Sequence, residues 1–478
     1  MEQPAHFLVI TFPAQGHLNP ALHLAKCLAC LPNARVTFST GAFAHRVMFP
    51  SSPEAEVDDG LLTYIPFADG SSGKTNAHDK DLRNFVEQVR RLGSQHFDSI
   101  LRDLAARGRP VTLVIHTIML QWASDVARDL GISSTLYWIQ AATVLGIYHH
   151  FFNGHKAYIL SHAKNPSLPI SLPGLPPFQF RDLPDSLLVT DPTEFLFGIF
   201  EAFREVFNAL SRSHRPKVLV NSFDELEASE LSSMGEYMEL ITVGPVMPED
   251  AEKTDTTADI FEQDEKDYMD WLNSQAERSV VYVSFGSVHK MVKEDVEGIS
   301  RGLRESKRPY LWVVRKDGKE EGLELEEEDE AEKNNGLVVA WCSQLKVLAH
   351  SAVGCFVTHC GWNSTLEGLV SGVPAVAIPK WSDQHLNARM MERWGTAVRA
   401  EEGEDGRVGA DELRRCLDVV MGQGVNGVEI RRKAEWWKKR AREAFSDDGS
   451  SGRNLRSFVE EVICRMPSSP LSIEEINQ

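Results

Sequence analysis

The chain has 478 residues and a mass of 53.5 kDa, a length that predicts two domains and excludes a single small binding module. Hydrophobic residues make up 42% and charged residues 25% of the sequence, which excludes disorder, collagen and coiled coil as descriptions of the whole chain. Asp and Glu (69) outnumber Lys and Arg (50), and the net charge of −19 disfavours nucleic acid and anionic membrane surfaces as partners.

The cysteines and the amino-terminal sequence predict the compartment of the protein. Seven cysteines without a disulfide-like spacing are typical of a reducing compartment. The first residues lack the basic region of a signal peptide, and no apolar stretch reaches the roughly 18 to 20 residues that span a bilayer. We therefore expect a cytoplasmic protein without a membrane span. Cys27 and Cys30 form a C-x-x-C pattern in an apolar helical stretch, where core packing is favoured over redox chemistry.

Short apolar runs alternate with helical patterns in both halves of the chain. Continuous apolar strands that alternate with helices are typical of a parallel sheet covered on both faces. The predicted fold class is therefore α/β, with two doubly wound halves. In the first half, strands are predicted at residues 7–11, 35–40, 111–117 and 135–139, with a helix at 119–130. In the second half, strands are predicted at 279–285, 310–314, 337–340, 354–358 and 375–378, with helices at 293–303, 364–369 and 383–394.

A segment rich in Pro, Asp, Glu and Thr separates the two halves, as an exposed linker would. The predicted linker covers residues 246–258, between a first domain at 1–245 and a second domain at 259–453. Residues 454–478 are predicted to form a carboxy-terminal helix and tail that cross back to the first domain. A run of acidic residues at 316–335 is predicted to be a solvated surface loop.

The first predicted strand runs into the sequence FPAQGHLNP at residues 12–20, in which Pro20 suits the first turn of the following helix. His17 is therefore expected in a tight loop at the carboxyl end of a parallel strand, where ligands bind in open α/β sheets. A histidine with an unshifted pKa of about 6.5 can act as a general base on a hydroxyl near neutral pH. The alternative is that His17 only braces the loop.

The richest pattern of polar residues lies in the second half of the chain. An apolar run before His359 predicts a strand, and residues 361–364 predict the turn into a helix whose first N–H groups and dipole would form an anion site. Glu367 lies about one turn into this helix and is placed to accept two neighbouring ribose hydroxyls. Trp341, at the end of the preceding strand, offers a flat face on which a base can stack.

Simpler interpretations of several residues also stand. Ser364 and Glu367 match the capping box S-x-x-E. Asn363 begins the only N-x-[ST] sequon, which the lack of a secretory signal disfavours as a glycosylation site. Asp79 and Asp81 spell a D-x-D metal-binding pattern, but a solvated helix start is favoured for a charged helical segment.

Residues 341–384 resemble the signature box of plant family-1 UDP-sugar glycosyltransferases, with HCGWNS, the later Glu and the closing DQ in register. The FPAQGHLNP loop resembles the amino-terminal catalytic-histidine loop of that family, and residues 283–287 resemble its donor loop. The similarity extends over essentially the whole chain. Residues 67–70 and 138–140 are most similar to the branch that holds anthocyanin 5-O-glucosyltransferases and enzymes that make glucose esters.

The resemblance implies the GT-B fold, in which two Rossmann-like domains face a cleft, with the acceptor in the first and UDP-glucose in the second. It implies an inverting enzyme that moves glucose to a hydroxyl or carboxylate of a small lipophilic plant metabolite, such as a flavonoid, a phenolic or a carboxylic-acid hormone. It further implies a monomer that needs no cofactor or metal. In this family, His17 would be the general base. The donor would be held by Trp341, Cys342 and Gln344 at uracil, by Glu367 at ribose, by Ser287, His359, Trp362, Asn363 and Ser364 at the diphosphate, and by Asp383 and Gln384 at the hexose.

The chain departs from the family pattern at two positions. Where many relatives have an Asp that orients the catalytic histidine, this sequence has Thr117, preceded by His116. Thr117 is expected to hydrogen-bond the imidazole of His17, but it cannot stabilise the imidazolium as a carboxylate would. This favours an acceptor that is already acidic, such as a carboxylic acid or an activated phenol. Ile139 replaces a Thr that reaches the sugar in some relatives, and Gln140 is expected to substitute for it.

Two other functions are alternatives to this prediction. A nicotinamide oxidoreductase on two Rossmann-like halves is disfavoured because no G-x-G-x-x-G follows any predicted strand. A non-catalytic protein that binds a nucleotide sugar is disfavoured by the presence of His17. The acceptor pocket is expected to involve loops such as 71–78 and 151–191. The phenylalanines considered for it, Phe178, Phe180, Phe195 and Phe197, would equally suit an apolar core or a helix face.

Overall fold

The computed structural model describes residues 4–71, 82–189, 191, 194, 196–247, 267–287, 291–315 and 335–466. Most of the predicted linker, the D-x-D pattern, nearly all of the acidic segment and the end of the chain lie outside these residues.

The first half of the chain forms an eight-stranded sheet. Its strands are β1 (Ala5–Ile10), β2 (Ala34–Ser39), β3 (Val57–Asp58), β4 (Thr63–Tyr64), β5 (Leu113–Thr117), β6 (Ser133–Trp138), β7 (Lys217–Val220) and β8 (Glu239–Thr242). Their order across the sheet is β3-β4-β2-β1-β5-β6-β7-β8, and every pair is parallel except β3 with β4. Because β1 lies in the middle, its carboxyl end opens onto the centre of the sheet edge.

The second half forms a six-stranded, wholly parallel sheet. Its strands are β9 (Val280–Ser284), β10 (Tyr310–Val313), β11 (Gly336–Val339), β12 (Val353–Thr358), β13 (Ala375–Ala377) and β14 (Ala397–Arg399). Their order is β11-β10-β9-β12-β13-β14, so the chain reverses direction across the sheet between β9 and β12. In open α/β sheets this switch point is where ligands bind.

Helices connect the strands in both sheets. Those of the first half are α1 (Gln15–Ala29), α2 (Ala42–Met48), α3 (Leu82–Ala106), α4 (Gln121–Asp129), α5 (Ala142–His150), α6 (Lys156–Ser161), α7 (Phe197–Leu210) and α8 (Ala228–Met234). Those of the second half are α9 (Tyr268–Asn273), α10 (Lys293–Ser306), α11 (Gln344–Ala349), α12 (Trp362–Ser371), α13 (Gln384–Trp394), α14 (Ala410–Met421), α15 (Val425–Phe445) and α16 (Ser450–Cys464).

Neighbouring residues of one strand enter different apolar cores. In β1, Phe7 and Val9 belong to one buried cluster, whereas Leu8 and Ile10 belong to another. Because side chains alternate between the two faces of a strand, both faces of the sheet are covered. The first of these clusters continues into the second sheet through Tyr282, so one apolar core joins the two halves.

The α/β prediction is confirmed, and every predicted strand is present within two residues of its predicted bounds. The sheets also contain β3, β4, β7, β8 and β14, which the sequence patterns did not predict. These strands have two to four residues, too few for an apolar run to stand out.

Two helix starts differ from their predictions. Helix α1 begins at Gln15, so Pro20 lies inside it rather than in its first turn. Helix α12 begins at Trp362 with Gly361 as its N-cap, and no side chain caps it. The capping-box interpretation of Ser364 is therefore wrong, because this residue already lies within the helix.

The last described helix, α16, lies along β8 at the edge of the first sheet. Asn454 donates to the hydroxyl of Thr242 at 2.9 Å, and the Ser451 hydroxyl donates to the Gly244 carbonyl at 2.6 Å. The chain therefore returns from the second sheet to the first.

All seven cysteines are free thiols. Cys27 is partly buried, with its Sγ 3.5 Å from Nε2 of His23, but Cys30 is exposed, so core packing does not account for it. No helix in the described part of the chain is long and apolar enough to cross a membrane.

Buried histidines make the stability of the fold depend on pH. Burial lowers the pKa of His116 to about 4, below the unfolded value of about 6.5. Between these two values the unfolded chain binds the extra proton, so this contribution to stability is present above pH 6.5 or so and is lost as the pH falls towards 4. Its size is on the order of 3 kcal/mol for a shift of this magnitude.

We expect His116→Gln to flatten the dependence of unfolding on pH between about 6.5 and 4. The measurement is the midpoint of urea unfolding at several pH values. His214→Gln is the matched control, because His214 is exposed and should leave the wild-type dependence unchanged. Identical pH dependence in all three proteins would contradict the prediction.

Candidate active site

His17 lies in the first turn of α1, just beyond the carboxyl end of β1. Its backbone N–H donates to the carbonyl of Ala14 at 2.9 Å, and its carbonyl accepts from the Thr11 hydroxyl at 3.2 Å. The loop between β1 and α1 is therefore shorter than predicted, because the helix begins before His17. His17 nevertheless lies where it was predicted, at the carboxyl end of β1.

The imidazole of His17 packs against an aromatic ring, and no carboxylate of the described residues contacts it. Its ring centroid lies 5.4 Å from that of Phe12. Its Nδ1 is buried and has no hydrogen-bond partner within the part of the chain that the structure describes. Burial lowers the pKa of His17 to about 4, since the charged form is deprived of water. At neutral pH the ring is therefore uncharged and can accept a proton, although its cation would be poorly stabilised.

Thr117 supports the loop rather than the imidazole. Its hydroxyl lies 3.3 Å from that of Thr11 and accepts from the backbone N–H of Phe12 at 3.4 Å. The expected hydrogen bond between Thr117 and His17 is not present. The neighbouring His116 is buried and lies with Nδ1 3.3 Å from the Thr117 carbonyl, so it does not replace the missing carboxylate either.

His359 lies between two glycines in the second domain. It follows β12 directly, and a Cβ added to Gly286, after β9, would collide with its Nε2. A Cβ added to Gly361 would lie 2.6 Å from the same atom. Gly286 also has a φ of +74°, which favours glycine. The loop after β9, and the turn that joins His359 to α12, therefore pack against the imidazole only because they carry glycine there. Ser287 is the next residue of the first of these loops.

Three of the predicted donor-binding residues form one hydrogen-bond network. Gln344, the first residue of α11, donates through Nε2 to Ser364 Oγ at 2.8 Å and to Glu367 Oε2 at 2.6 Å. The Tyr282 hydroxyl donates to Gln344 Oε1 at 3.2 Å, which fixes the orientation of the amide. The same hydroxyl lies 3.5 Å from Sγ of the buried Cys342. The structure thus brings residues from α11, α12, β9 and the segment between β11 and α11 to one point.

The indole of Trp362 faces the first domain. It is buried and donates through Nε1 to the backbone carbonyl of Asn221 at 2.7 Å. The predicted contact between this residue and a diphosphate therefore cannot use the indole N–H and would have to use the backbone. Trp341, by contrast, follows β11 by two residues and is partly exposed.

Asp383 and Gln384 are buried at the start of α13. Asp383 accepts from Asn387 at 2.8 Å and is hydrogen-bonded by Gln140 of the first domain. Burial raises the pKa of Asp383, and these hydrogen bonds oppose the shift. The amide oxygen of Gln384 accepts from the N–H groups of Lys380 and Trp381 at 2.9 and 3.1 Å. Its NH₂ group is therefore the part left for a ligand.

A hydrogen bond between the two domains lies one residue from the imidazole. Pro20 has no N–H, so the carbonyl of Gly16, four residues earlier, lacks its helical donor. Nδ2 of Asn363 donates to this carbonyl at 2.9 Å. Asn363 from the start of α12 and His17 from α1 are thereby brought next to each other.

Residues that the sequence patterns did not single out hold the site together. Tyr282 was not found because an aromatic residue in a buried strand suggests only core packing. Asn387 lies one helical turn after Asp383, a spacing that could have indicated a contact. Of the predicted pocket phenylalanines, Phe178 belongs to the core and Phe195 lies outside the described residues.

Comparison with known proteins identifies the family. The sequence profile described as "UDP-glucoronosyl and UDP-glucosyl transferase" matches residues 164–426. Crocetin glucosyltransferase, chloroplastic, of Gardenia jasminoides is 42% identical over 474 residues, which cover 97% of this chain and 98% of that protein. The chain belongs to this family of UDP-glycosyltransferases.

Two other glycosyltransferases are similar over nearly the whole chain. Anthocyanidin 3-O-glucoside 5-O-glucosyltransferase 1 of Perilla frutescens is 40% identical over 466 residues, covering 95% of this chain and 98% of the relative. The crystal structure of Os79 from O. sativa in complex with UDP has a TM-score of 0.80 and 30% identity, covering 95% of this chain and all of that one. The predicted GT-B fold and plant family are confirmed, and the protein is a glycosyltransferase.

Asn387 is expected to be essential for the stability of the site. It is fully buried, and its Nδ2 donates both to Asp383 and to the carbonyl of Cys360 at 2.9 Å. Asn387→Ala would leave two buried acceptors without this donor and should lower the free energy of unfolding by about 2 to 3 kcal/mol. The measurement is chemical unfolding. Asn208→Ala, at an exposed helical position, is the control, and an equally small effect of both substitutions would contradict the prediction.

Proposed function

We propose that this enzyme is an inverting glucosyltransferase that moves glucose from UDP-glucose to an acidic hydroxyl or carboxylate of a small lipophilic plant metabolite. The observation that carries the proposal is the junction at which a half-buried, uncharged His17 lies beside Asn363, at the start of the helix that also carries Ser364 and Glu367. A proton acceptor and a nucleotide-sugar site are thereby adjacent.

The second domain would bind the donor, with the nucleotide along α11 and α12. Trp341 stacks on uracil, with Cys342 beside it, and Gln344 holds Glu367 in place for the ribose hydroxyls. The N–H groups at the start of α12 and the side chains nearby receive the diphosphate, because a helix amino terminus favours anions. The residues assigned to the diphosphate are Ser287, His359, Asn363 and Ser364, with the backbone of Trp362.

The hexose would lie between the domains, where Gln140 meets Asp383. Asp383 is an acceptor for hexose hydroxyls, and the NH₂ group of Gln384 is a donor, because its oxygen is already used within the loop. A carboxylate and an amide at fixed positions can distinguish hydroxyl configurations by hydrogen bonding.

The chemistry is a single displacement at the anomeric carbon. An oxygen of the acceptor attacks this carbon from the side opposite the diphosphate and forms the new C–O bond. The bond to the phosphate oxygen breaks, and its electron pair leaves with UDP, so the α-linked donor becomes a β-glucoside. Where the acceptor is a hydroxyl, its proton passes to His17, and Nε2 is the nitrogen that can receive it because Nδ1 is buried.

The environment of His17 favours acceptors that are already acidic. A base whose conjugate acid has a pKa of about 4 removes a proton from an ordinary alcohol with difficulty. A carboxylate needs no deprotonation, and an activated phenol needs little. The names of the relatives are compatible with this class, since one is named for crocetin and another for the 5-O position of an anthocyanidin 3-O-glucoside.

The remaining features of the proposal come from the sequence. Residues 1–245 would bind the acceptor and residues 259–453 the donor, in a monomer that uses no metal or other cofactor. The helix dipole and hydroxyl groups would neutralise the leaving diphosphate instead. A cytoplasmic location is proposed from the composition, although one similar protein is named as chloroplastic.

The test is a transfer assay on the purified protein. UDP-glucose is mixed with a panel of flavonoids, simple phenols and carboxylic acids, and products are identified by mass as hexose adducts. Mild alkali then separates esters, which it cleaves, from phenolic glucosides. Loss of transfer in His17→Ala with unchanged UDP binding supports the proposal. Binding of UDP-glucose without transfer to any acceptor would favour the non-catalytic alternative.

Gly286→Ala is expected to weaken UDP binding about tenfold or more, because the new Cβ would displace His359. The measurement is the Kd for UDP by calorimetry. Gly406→Ala is a close control: Gly406 has a φ of +73°, but no atom lies within 4 Å of its added Cβ. Equal effects of the two substitutions would show that backbone strain, rather than His359, is responsible.

Thr117→Asp is expected to raise the pKa of His17 by placing a negative charge near the half-buried ring. The acidic limb of kcat/KM against pH should move upwards, and activity should rise more on phenols than on carboxylic acids. Thr117→Asn has the same shape without the charge and serves as the control. An equal change in activity on phenols and on carboxylic acids, or an equal effect of Thr117→Asp and Thr117→Asn, would contradict the link between the charge at position 117 and the acceptor class.

A further inference from the structure

A short segment of the first domain lies against the loop that precedes α13. Two single-turn 3₁₀ helices, Phe180–Asp182 and Asp185–Leu187, form this segment. The carboxylate of Asp185 accepts a hydrogen bond from the backbone N–H of Ser382 at 3.1 Å. Because Ser382 directly precedes Asp383, the first domain contacts the backbone at the entrance to the proposed hexose site.

The same segment makes a second contact with the second domain through a buried ion pair. Asp182 Oδ1 and Arg399 Nη1 are 2.8 Å apart, and their side chains are 1% and 14% exposed. Arg399 also lies 3.2 Å from Nδ1 of His385. The segment therefore contacts Ser382 directly and His385 through Arg399. These two residues lie on either side of Asp383 and Gln384, the proposed hexose-binding pair.

The backbone at Ser382 has an unfavourable conformation, which surrounding contacts must stabilise. Its φ is +61°, in the left-handed region that residues other than glycine disfavour. Within the loop, Gln384 accepts the N–H groups of Lys380 and Trp381, whereas the N–H of Ser382 goes to Asp185 of the other domain. Unfavourable backbone conformations of this kind persist where the neighbouring structure determines them.

We propose that Asp185 is a positioning residue for the hexose of the donor, acting through Ser382 on Asp383 and Gln384. The inference rests on the proposed function, in which those two residues bind hexose hydroxyls. The nucleotide would instead be held by α11, α12 and the loop after β9. Loss of Asp185 should therefore affect the sugar end of the donor and spare the nucleotide end.

Dissociation constants of UDP and UDP-glucose, measured by calorimetry on the full chain, test this without turnover. Asp185→Ala removes the acceptor for Ser382 and is expected to weaken UDP-glucose binding about tenfold. Binding of UDP should not change, because UDP has no hexose. Asp185→Asn retains an oxygen that can accept the same N–H and is expected to restore UDP-glucose binding to within about twofold.

Glu230→Gln is the matched control. Glu230 bonds Arg393 at 2.8 Å between the same two domains, at the far end of α13. It should leave the ratio of the two dissociation constants unchanged. Arg399→Met leaves Asp185 intact but releases the other contact of its segment. Arg399→Met is expected to shift the ratio of the two dissociation constants in the same direction as Asp185→Ala. It therefore tests the proposal even if Asp185→Ala does not fold.

Equal weakening of UDP and UDP-glucose in Asp185→Ala, or no change in either, overturns the positioning role. An Asn variant as weak as the Ala variant also overturns it, because the hydrogen bond to Ser382 would then not be the cause. If the wild-type protein binds neither ligand, the proposed function itself fails. If the wild-type protein binds both ligands, and Asp185→Ala has the same ratio of the two dissociation constants as the wild type, the proposed function stands and the positioning role fails.

Discussion

The carboxyl ends of β1 in the first sheet and β12 in the second meet at a junction of hydrogen bonds, and the shared cleft of the site depends on that contact. Asn363 of the second domain bonds the carbonyl that Pro20 leaves without a helical donor. Trp362 bonds the backbone of Asn221, and a continuous apolar core lies behind the junction. Residues from distant parts of the sequence therefore share one cleft, which neither sheet could form alone.

This junction also determines the chemistry of the base. His17 is carried to the cleft by the first turn of α1, yet the hydroxyl of Thr117 is committed to Thr11 and to the backbone of Phe12. The imidazole is half-buried and contacts no carboxylate of the described residues, so it remains uncharged and its cation lacks support from them. The acceptor must then be acidic itself, because His17 is a weak base. Thr117, which stands at the end of β5 where many relatives have Asp, is thereby linked to the class of substrate.

The sequence predicted the fold well because long apolar strands and helical patterns are local signals. Strands of two to four residues, such as β7 and β8, gave no such signal. At the site, the signature residues were identified by type, but their partners were not: Thr117 contacts Thr11 and Phe12 rather than His17, and the indole N–H of Trp362, a residue predicted at the diphosphate, donates to Asn221. Such contacts depend on how distant elements pack, and a hydrogen bond like that from Asp185 to Ser382 has no local pattern.

The most direct measurement is the pKa of His17 in the intact protein, obtained by NMR titration of the labelled imidazole, with His17→Gln to assign the signal. Loss of water around the ring, with no anionic partner among the described residues, predicts a pKa of about 4, so the ring should stay neutral near pH 7. A value at or above the ordinary 6.5 or so would contradict this, because it would require a negative charge or solvent at the ring. The preference for acidic acceptors would then need another cause.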